Sequence, residues 1–244
     1  CLKIADENKD KIVVFFAIGF ETTTPMTCAL LEQVIKNDIK NILFHINHIT
    51  VPEVMQVLVQ DENCKIDAFL GPSHVSVISG SKIYEEFPRD YNKPVVVSGF
   101  EPVDVMQSLS MIVKQFKEKR SDLEIEYKRL VSYEGNLKAQ ELINKYFKKV
   151  PFKFRGIGEV QDSGYELKDE YDNYNAKIVY KEILPTKEVK DNKACKCPDI
   201  LKGVAKPHDC KIFGTLCTPT NPIGSCMVSS EGACSAYYKY GNLL

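Results

Sequence analysis

Two stretches decide the fold: FFAIGFETTTP at residues 15–25 and VVVSGFEPVDV at residues 95–105. Each runs from an apolar, strand-like segment through Gly-Phe-Glu to a proline and a helix-like pattern. Proline suits the first turn of a helix, where its missing N–H would have no intrahelical partner. The echo is short, but it sets Glu21 and Glu101 at equivalent stations, just past the carboxyl end of a strand.

The surrounding sequence repeats the alternation. Ile12–Ile18 is a continuous apolar run, the mark of a strand buried on both faces. A helix follows through about Ile35, with Thr24 as the expected N-cap and Pro25 at the first helical position. Residues 41–46 (NILFHI) form a second strand, and Thr50-Val51-Pro52-Glu53 reads as a capping box before a helix near Val54–Val59. Ile66–Leu70 is the third strand and Pro94–Ser98 the fourth. Val103, Met106, Leu109, Ile112, Val113 and Phe116 recur at helical spacing and predict one buried stripe. Strands alternating with helices imply an α/β class: a parallel sheet flanked by helices.

Open α/β sheets bind ligands beyond the carboxyl ends of their strands. Glu21 and Glu101 stand there, and His74, in the segment after the third strand, stands at the same level. Thr22, Thr23, Ser76 and Asp104 complete the expected crevice. Each of these residues has a plainer reading, as a strand-to-helix turn or a hydrogen-bonded loop residue. The threonines could cradle an anion, but no Walker or GxGxxG pattern accompanies them. His45 and His48 read as structural, and Cys28 and Cys64 as inert.

Composition narrows the function classes. The 244 residues carry a net charge of −1, so there is no basic footprint for nucleic acid or an anionic membrane. The longest apolar run, Ile12–Ile18, is too short to span a bilayer, and no secretory signal is present. A reducing, cytoplasmic setting is expected. The chain opens on Cys1 in what reads as a helix already under way, so it is expected to be part of a longer polypeptide.

Six of the nine cysteines fall in the tail: Cys195, Cys197, Cys210, Cys217, Cys226 and Cys234. Their pattern, C-x-C-x12-C-x6-C-x8-C-x7-C, has neither the paired C-x2-C knuckles of zinc ribbons nor the ferredoxin run. An iron–sulfur cluster, structural zinc and disulfides all remain open on spacing alone. All-thiolate ligation suits the first two, since His208 is the one imidazole in the tail. The tail is rich in Pro and Gly and poor in periodicity, so a bound metal would supply order that a small apolar core could not. Three regions result: an α/β domain over 1–120, a mixed connecting region over 121–190, and a cysteine-rich module over 191–244.

Taken together, FFAIGFETT (15–23), GPSHVSVISG (71–80), VVVSGFEPVDV (95–105), YEGNLKAQ (133–140), FRGIGEVQDSG (154–164) and PHDCKIFGTLCTPTNPIGSCMVSSEGACSAYY (207–238) resemble the HypD-type maturation factors of [NiFe] hydrogenases. The motifs run in order over nearly the whole chain. The resemblance implies a scaffold on which the Fe(CN)2CO unit of the hydrogenase is assembled. The implied partners are a HypC-type chaperone that shares the iron and a HypE-type cyanide donor acting with HypF. It also implies a [4Fe–4S] cluster on Cys195, Cys210, Cys217 and Cys234, in surroundings similar to ferredoxin–thioredoxin reductase. Cys197 and Cys226 become a neighbouring redox pair, and His74, Glu21 and Glu101 the iron-assembly cleft. The family's Cys-Gly-Thr-His and Gly-Pro-Gly-Cys-Pro-Val-Cys motifs do not occur in this sequence, so an N-terminally truncated scaffold is expected. The alternative implied by the same tail is a cluster-dependent disulfide oxidoreductase.

Overall fold

The computed structural model describes residues 1–185 and 191–241. In chain order the elements are α1 (Leu2–Glu7), β1 (Val13–Gly19), α2 (Thr24–Lys36), β2 (Ile42–His48), α3 (Pro52–Gln60), β3 (Phe69–Pro72), α4 (Ser73–Ser79) and α5 (Glu86–Tyr91). Then come β4 (Val95–Ser98), α6 (Pro102–Lys117), β5 (Leu123–Ile125), α7 (Leu137–Tyr146), β6 (Phe147–Phe154), β7 (Gly158–Leu167) and α8 (Ala176–Val179). The tail adds α9 (Cys197–Leu201), α10 (Ser225–Val228) and α11 (Ala233–Tyr240). No helix among the described residues is long and apolar enough to cross a membrane.

The chain divides into two compact units: residues 1–53, 68–151 and 161–185 in the first, and 54–67, 152–160 and 186–244 in the second. The α/β class holds, with parallel sheets flanked by helices. In the first unit β1 and β2 pair in parallel, Gly19 opposite His48. Strands β3, β4 and β5 form a second parallel sheet with β4 in the centre. One core of the unit lies between α2, β2 and α7, where Leu31, Val34, Ile42, Phe44 and Ile143 pack together. Strands β6 and β7 pair with each other around a turn in which Gly156 and Gly158 take positive φ, 83° and 100°.

Several sequence expectations are corrected. Thr23, not Thr24, is the N-cap of α2, and its side chain caps nothing. The hydroxyls of Thr23 and Thr24 instead donate to the Phe20 carbonyl, at 3.1 and 2.9 Å, closing the turn after β1. Thr50 forms no capping box, for its Oγ1 is buried without a hydrogen-bond partner. The third strand begins at Phe69 rather than Ile66; the preceding backbone bonds elsewhere, with Lys65 N donating to Lys202 O at 2.9 Å. Strand β3 passes directly into α4, so His74 sits in a helix's first turn and not in a loop.

Two burial patterns also differ from the sequence reading. The run at β1 is not buried on both faces: Val14, Phe16 and Ile18 are 43, 57 and 64% exposed. Among the described residues this strand pairs only with β2, and one of its faces has no layer over it. The apolar stripe of α6 is likewise exposed at Val103, Met106, Leu109, Val113 and Phe116; only Ile112 is buried. Polar anchoring rotates this helix. Asp104, Ser108 and Gln115 face inward, where Arg129 holds Asp104 and Gln115 receives the Asp122 N–H at 2.8 Å.

Candidate functional site

The second unit is built around its sulfurs. Cys197, Cys210, Cys217, Cys226 and Cys234 are all buried, and with Ile200, Ile212 and Met227 they form its core; Cys195 packs half-buried against them. Pro198 stabilises the start of α9, whose first residue is Cys197. Short helices α10 and α11 carry Cys226 and Cys234 inward. Two glycines permit this convergence. A Cβ on Gly224 would lie 2.5 Å from the sulfurs of both Cys195 and Cys197, and one on Gly232 would lie 2.3 Å from the Cys226 carbonyl oxygen.

The Sγ atoms of Cys197, Cys226 and Cys234 all lie within 4.8 Å of one another, an arrangement that could hold a metal ion. Cys226 N donates to Cys197 Sγ at 3.3 Å. Hydrogen bonds from the Cys226 and Cys234 thiols hold the Cys197 thiol far below its ordinary pKa, favouring a thiolate there. Its partner Cys226 is pushed up by the same contact with Cys197. The other sulfurs bond locally: Cys210 Sγ to Ala194 O at 3.6 Å, and Cys217 Sγ from Ile223 N at 3.4 Å. His208 packs edge-on against Phe213 and Tyr237, at 5.1 and 5.5 Å between ring centres. The close trio joins both members of the expected redox pair to one expected ligand, Cys234.

In the first unit the strand-end residues fall into two groups on two sheets. His74 packs on Phe100, ring centres 5.0 Å apart, which places it beside the Gly-Phe-Glu loop that carries Glu101. Its Nδ1 is buried and unpartnered. Glu101 is exposed and forms the N-cap of α6. Ser76 donates to Pro72 O at 2.9 Å and so fixes the joint between β3 and α4. Asp104 is buried and receives Arg129 Nη2 on both carboxylate oxygens, at 2.8 and 2.7 Å. A Cβ on Gly99 would come within 2.1 Å of Asp104 Oδ2, which is why the loop needs glycine there.

Glu21 belongs to the other sheet. It is buried, with Oε1 accepting the Val51 N–H at 2.9 Å and Oε2 unpartnered. Burial drives its carboxyl up to about 7. Thr22 is half-buried in the same turn. Glu21 shares a cavity with Thr50, Glu53, Lys149 and Tyr165, which sequence reasoning missed. The parallel pairing of β1 with β2 was the available signal. It sets the turn after His48, and with it Thr50, beside the turn after Gly19.

Fold and sulfur cluster together define an α/β protein with a cysteine-based metal-binding module. The comparison with known proteins is specific. The family model described as "HypD: Hydrogenase formation hypA family" matches residues 1–241. The chain is 45% identical to the hydrogenase maturation factor HypD2 of Bradyrhizobium diazoefficiens, over 98% of the chain and 64% of that protein. It is 43% identical to HypD of Azotobacter vinelandii and 39% to HypD of Escherichia coli, with the same coverage of each. The chain belongs to the HypD family. It spans 64% of the length of these relatives.

Proposed function

We propose that this chain acts in hydrogenase maturation, as a scaffold for assembly of the Fe(CN)2CO unit, and carries a [4Fe–4S] cluster in its second unit. The observation that supports this most is the convergence of six cysteines in one core of a HypD-family chain. The donor set fits such a group. It is all sulfur, largely buried, and cradled by Gly224 where a methyl group could not stand. Cys195, Cys210, Cys217 and Cys234 would hold the cluster, which when bound supplies one-electron transfer. Cys197 and Cys226 would be the redox pair; the N–H of Cys226 on Cys197 Sγ keeps their sulfurs side by side, as thiol–disulfide interconversion requires.

In the first unit, His74 and Glu101 would flank the iron cargo, with Glu21 contributing from the neighbouring sheet. The unpartnered Nδ1 of His74 is an available donor atom. Phe100 limits the ring's freedom, and Ser76 fixes the helix that carries it. Thr22, Thr23 and Asp104 shape the loops; Asp104 does so through Arg129. A HypC-type chaperone sharing the iron and a HypE-type cyanide donor are the partners this reading requires.

Anaerobic reconstitution tests the cluster. About four iron and four acid-labile sulfide per chain are expected, and zinc without sulfide would overturn the assignment. Single Cys→Ser exchanges then divide the six. Loss of loading is expected for Cys195, Cys210, Cys217 and Cys234. Loss at Cys197 and Cys226 instead would make the close trio the ligand core. Anaerobic capture of iron-bearing HypC-type protein tests the scaffold. Turnover of a protein disulfide with no such capture would favour the disulfide oxidoreductase.

A further inference from the structure

The cavity beside Glu21 has an unusual lining. It measures about 180 Å³ and lies wholly within the first unit, bounded by Glu21, Thr50, Glu53, Gln140, Asn144 and Lys149 among others. Three of its polar atoms are buried with no hydrogen-bond partner: Glu21 Oε2, Thr50 Oγ1 and Glu53 Oε2. Glu21 is 4% exposed and Thr50 2%. A buried polar atom left unpaired is destabilising, so three such atoms around one cavity call for an occupant.

The three atoms are all oxygens, and two belong to carboxylates. Lys149 pairs with the other oxygen of Glu53, and Lys82 with Glu134, which leaves the inward-facing oxygens unmatched. Gln140 spends its amide N–H groups on Ile78 O at 2.9 Å and Glu134 O at 2.7 Å, so its carbonyl oxygen remains to accept. The phenol of Tyr165 is pushed up by burial first and then by the charges of Glu21 and Glu53. At Glu21 itself the raising effect of Glu53 outranks the lowering effect of Lys149.

We infer that this cavity is a binding site for one divalent cation of the hard class, Mg²⁺ or Mn²⁺, held by Glu21 Oε2, Glu53 Oε2 and Thr50 Oγ1 and completed by water. Carboxylate, hydroxyl and water oxygens are the ligands such ions take, and the volume leaves room for retained waters. Soft thiolate-seeking metals would go to the cysteines of the second unit. The site stands on the first unit's geometry alone and does not depend on the maturation reading. It also does not depend on any part Glu21 takes in iron assembly.

Titration of the full chain with Mn²⁺, followed by electron paramagnetic resonance, tests it. One saturable Mn²⁺ per chain is expected, displaced by Mg²⁺. Glu21→Gln and Glu53→Gln should each weaken binding at least tenfold, and Thr50→Val a few-fold. Gln is nearly isosteric with Glu, and its amide oxygen can still accept the Val51 N–H, so the Glu21→Gln variant should fold. Mn²⁺ should raise the melting temperature of the parent chain and leave that of this variant unmoved. Absence of saturable uptake, or uptake that both glutamine variants leave unchanged, would show that water alone fills the cavity and would overturn the assignment.

Discussion

The two Gly-Phe-Glu segments share a sequence pattern and end in opposite environments. Strand β4 has a hydrogen-bonded neighbour on each side, and Val95, Val96 and Val97 are fully buried. Strand β1 has one neighbour and shows a row of apolar side chains to solvent. The glutamates invert this order. Glu21, after the half-open strand, is buried with its carboxyl raised; Glu101, after the enclosed strand, stands exposed at the head of α6. A local motif thus fixes where a side chain leaves the sheet, while the neighbouring turns decide what it meets. Glu21 meets the turn after β2, whose Val51 N–H and Glu53 close over it.

Glu21 offers the largest break in this comparison. Its carboxyl has a folded pKa of about 7 against an ordinary 4.5, so the protonated form is the one that favours folding. That contribution is fully present below pH 4.5 and is lost as pH rises through 7. It amounts to about 3 kcal/mol across the window. Glu21→Gln should flatten the profile and make the chain about 3 kcal/mol more stable above pH 8. Urea unfolding in EDTA across pH 4–9 measures both, and parallel profiles for parent chain and Glu21→Gln would contradict the burial argument.

The clamp behind the second loop comes next. Arg129 is largely exposed but covers a buried Asp104. Arg129→Ala should cost about 2–3 kcal/mol, chiefly because it strands the carboxylate. Asp104→Asn should cost less, since an amide needs no counter-charge. Equal costs would show that packing, not charge, orients α6. The strands themselves give the smaller contrast. Val96→Ala should cost about 2 kcal/mol, whereas Ile18→Ala should change stability by less than about 0.5 kcal/mol. Comparable costs would mean that the outer face of β1 is covered in solution.

Much of the fold was legible from period and punctuation. Apolar runs marked β1 and β4, the segment NILFHI marked β2, and Pro25 and Pro102 marked the helix starts within a residue or two. The rotation of α6 was not legible. An apolar stripe at helical spacing normally turns inward, but Asp104, Ser108 and Gln115 have specific buried partners and outweigh it. The sulfur centre was half legible. Six clustered cysteines announced thiolate chemistry, but which three sulfurs lie closest depends on how α9, α10 and α11 pack around Gly224 and Gly232.

The sequence by itself determined the α/β class, the parallel pairing, the placing of acidic residues at strand ends and a thiolate-rich module, because these follow from local period and residue chemistry. Only the tertiary structure decided which faces are covered and which ionisable groups lose their water. It split Glu21 from His74 and Glu101 between two sheets and enclosed Glu21 with Thr50 and Glu53. Desolvation and unpaired hydrogen-bonding atoms arise from neighbours distant in the chain, and no local pattern encodes them.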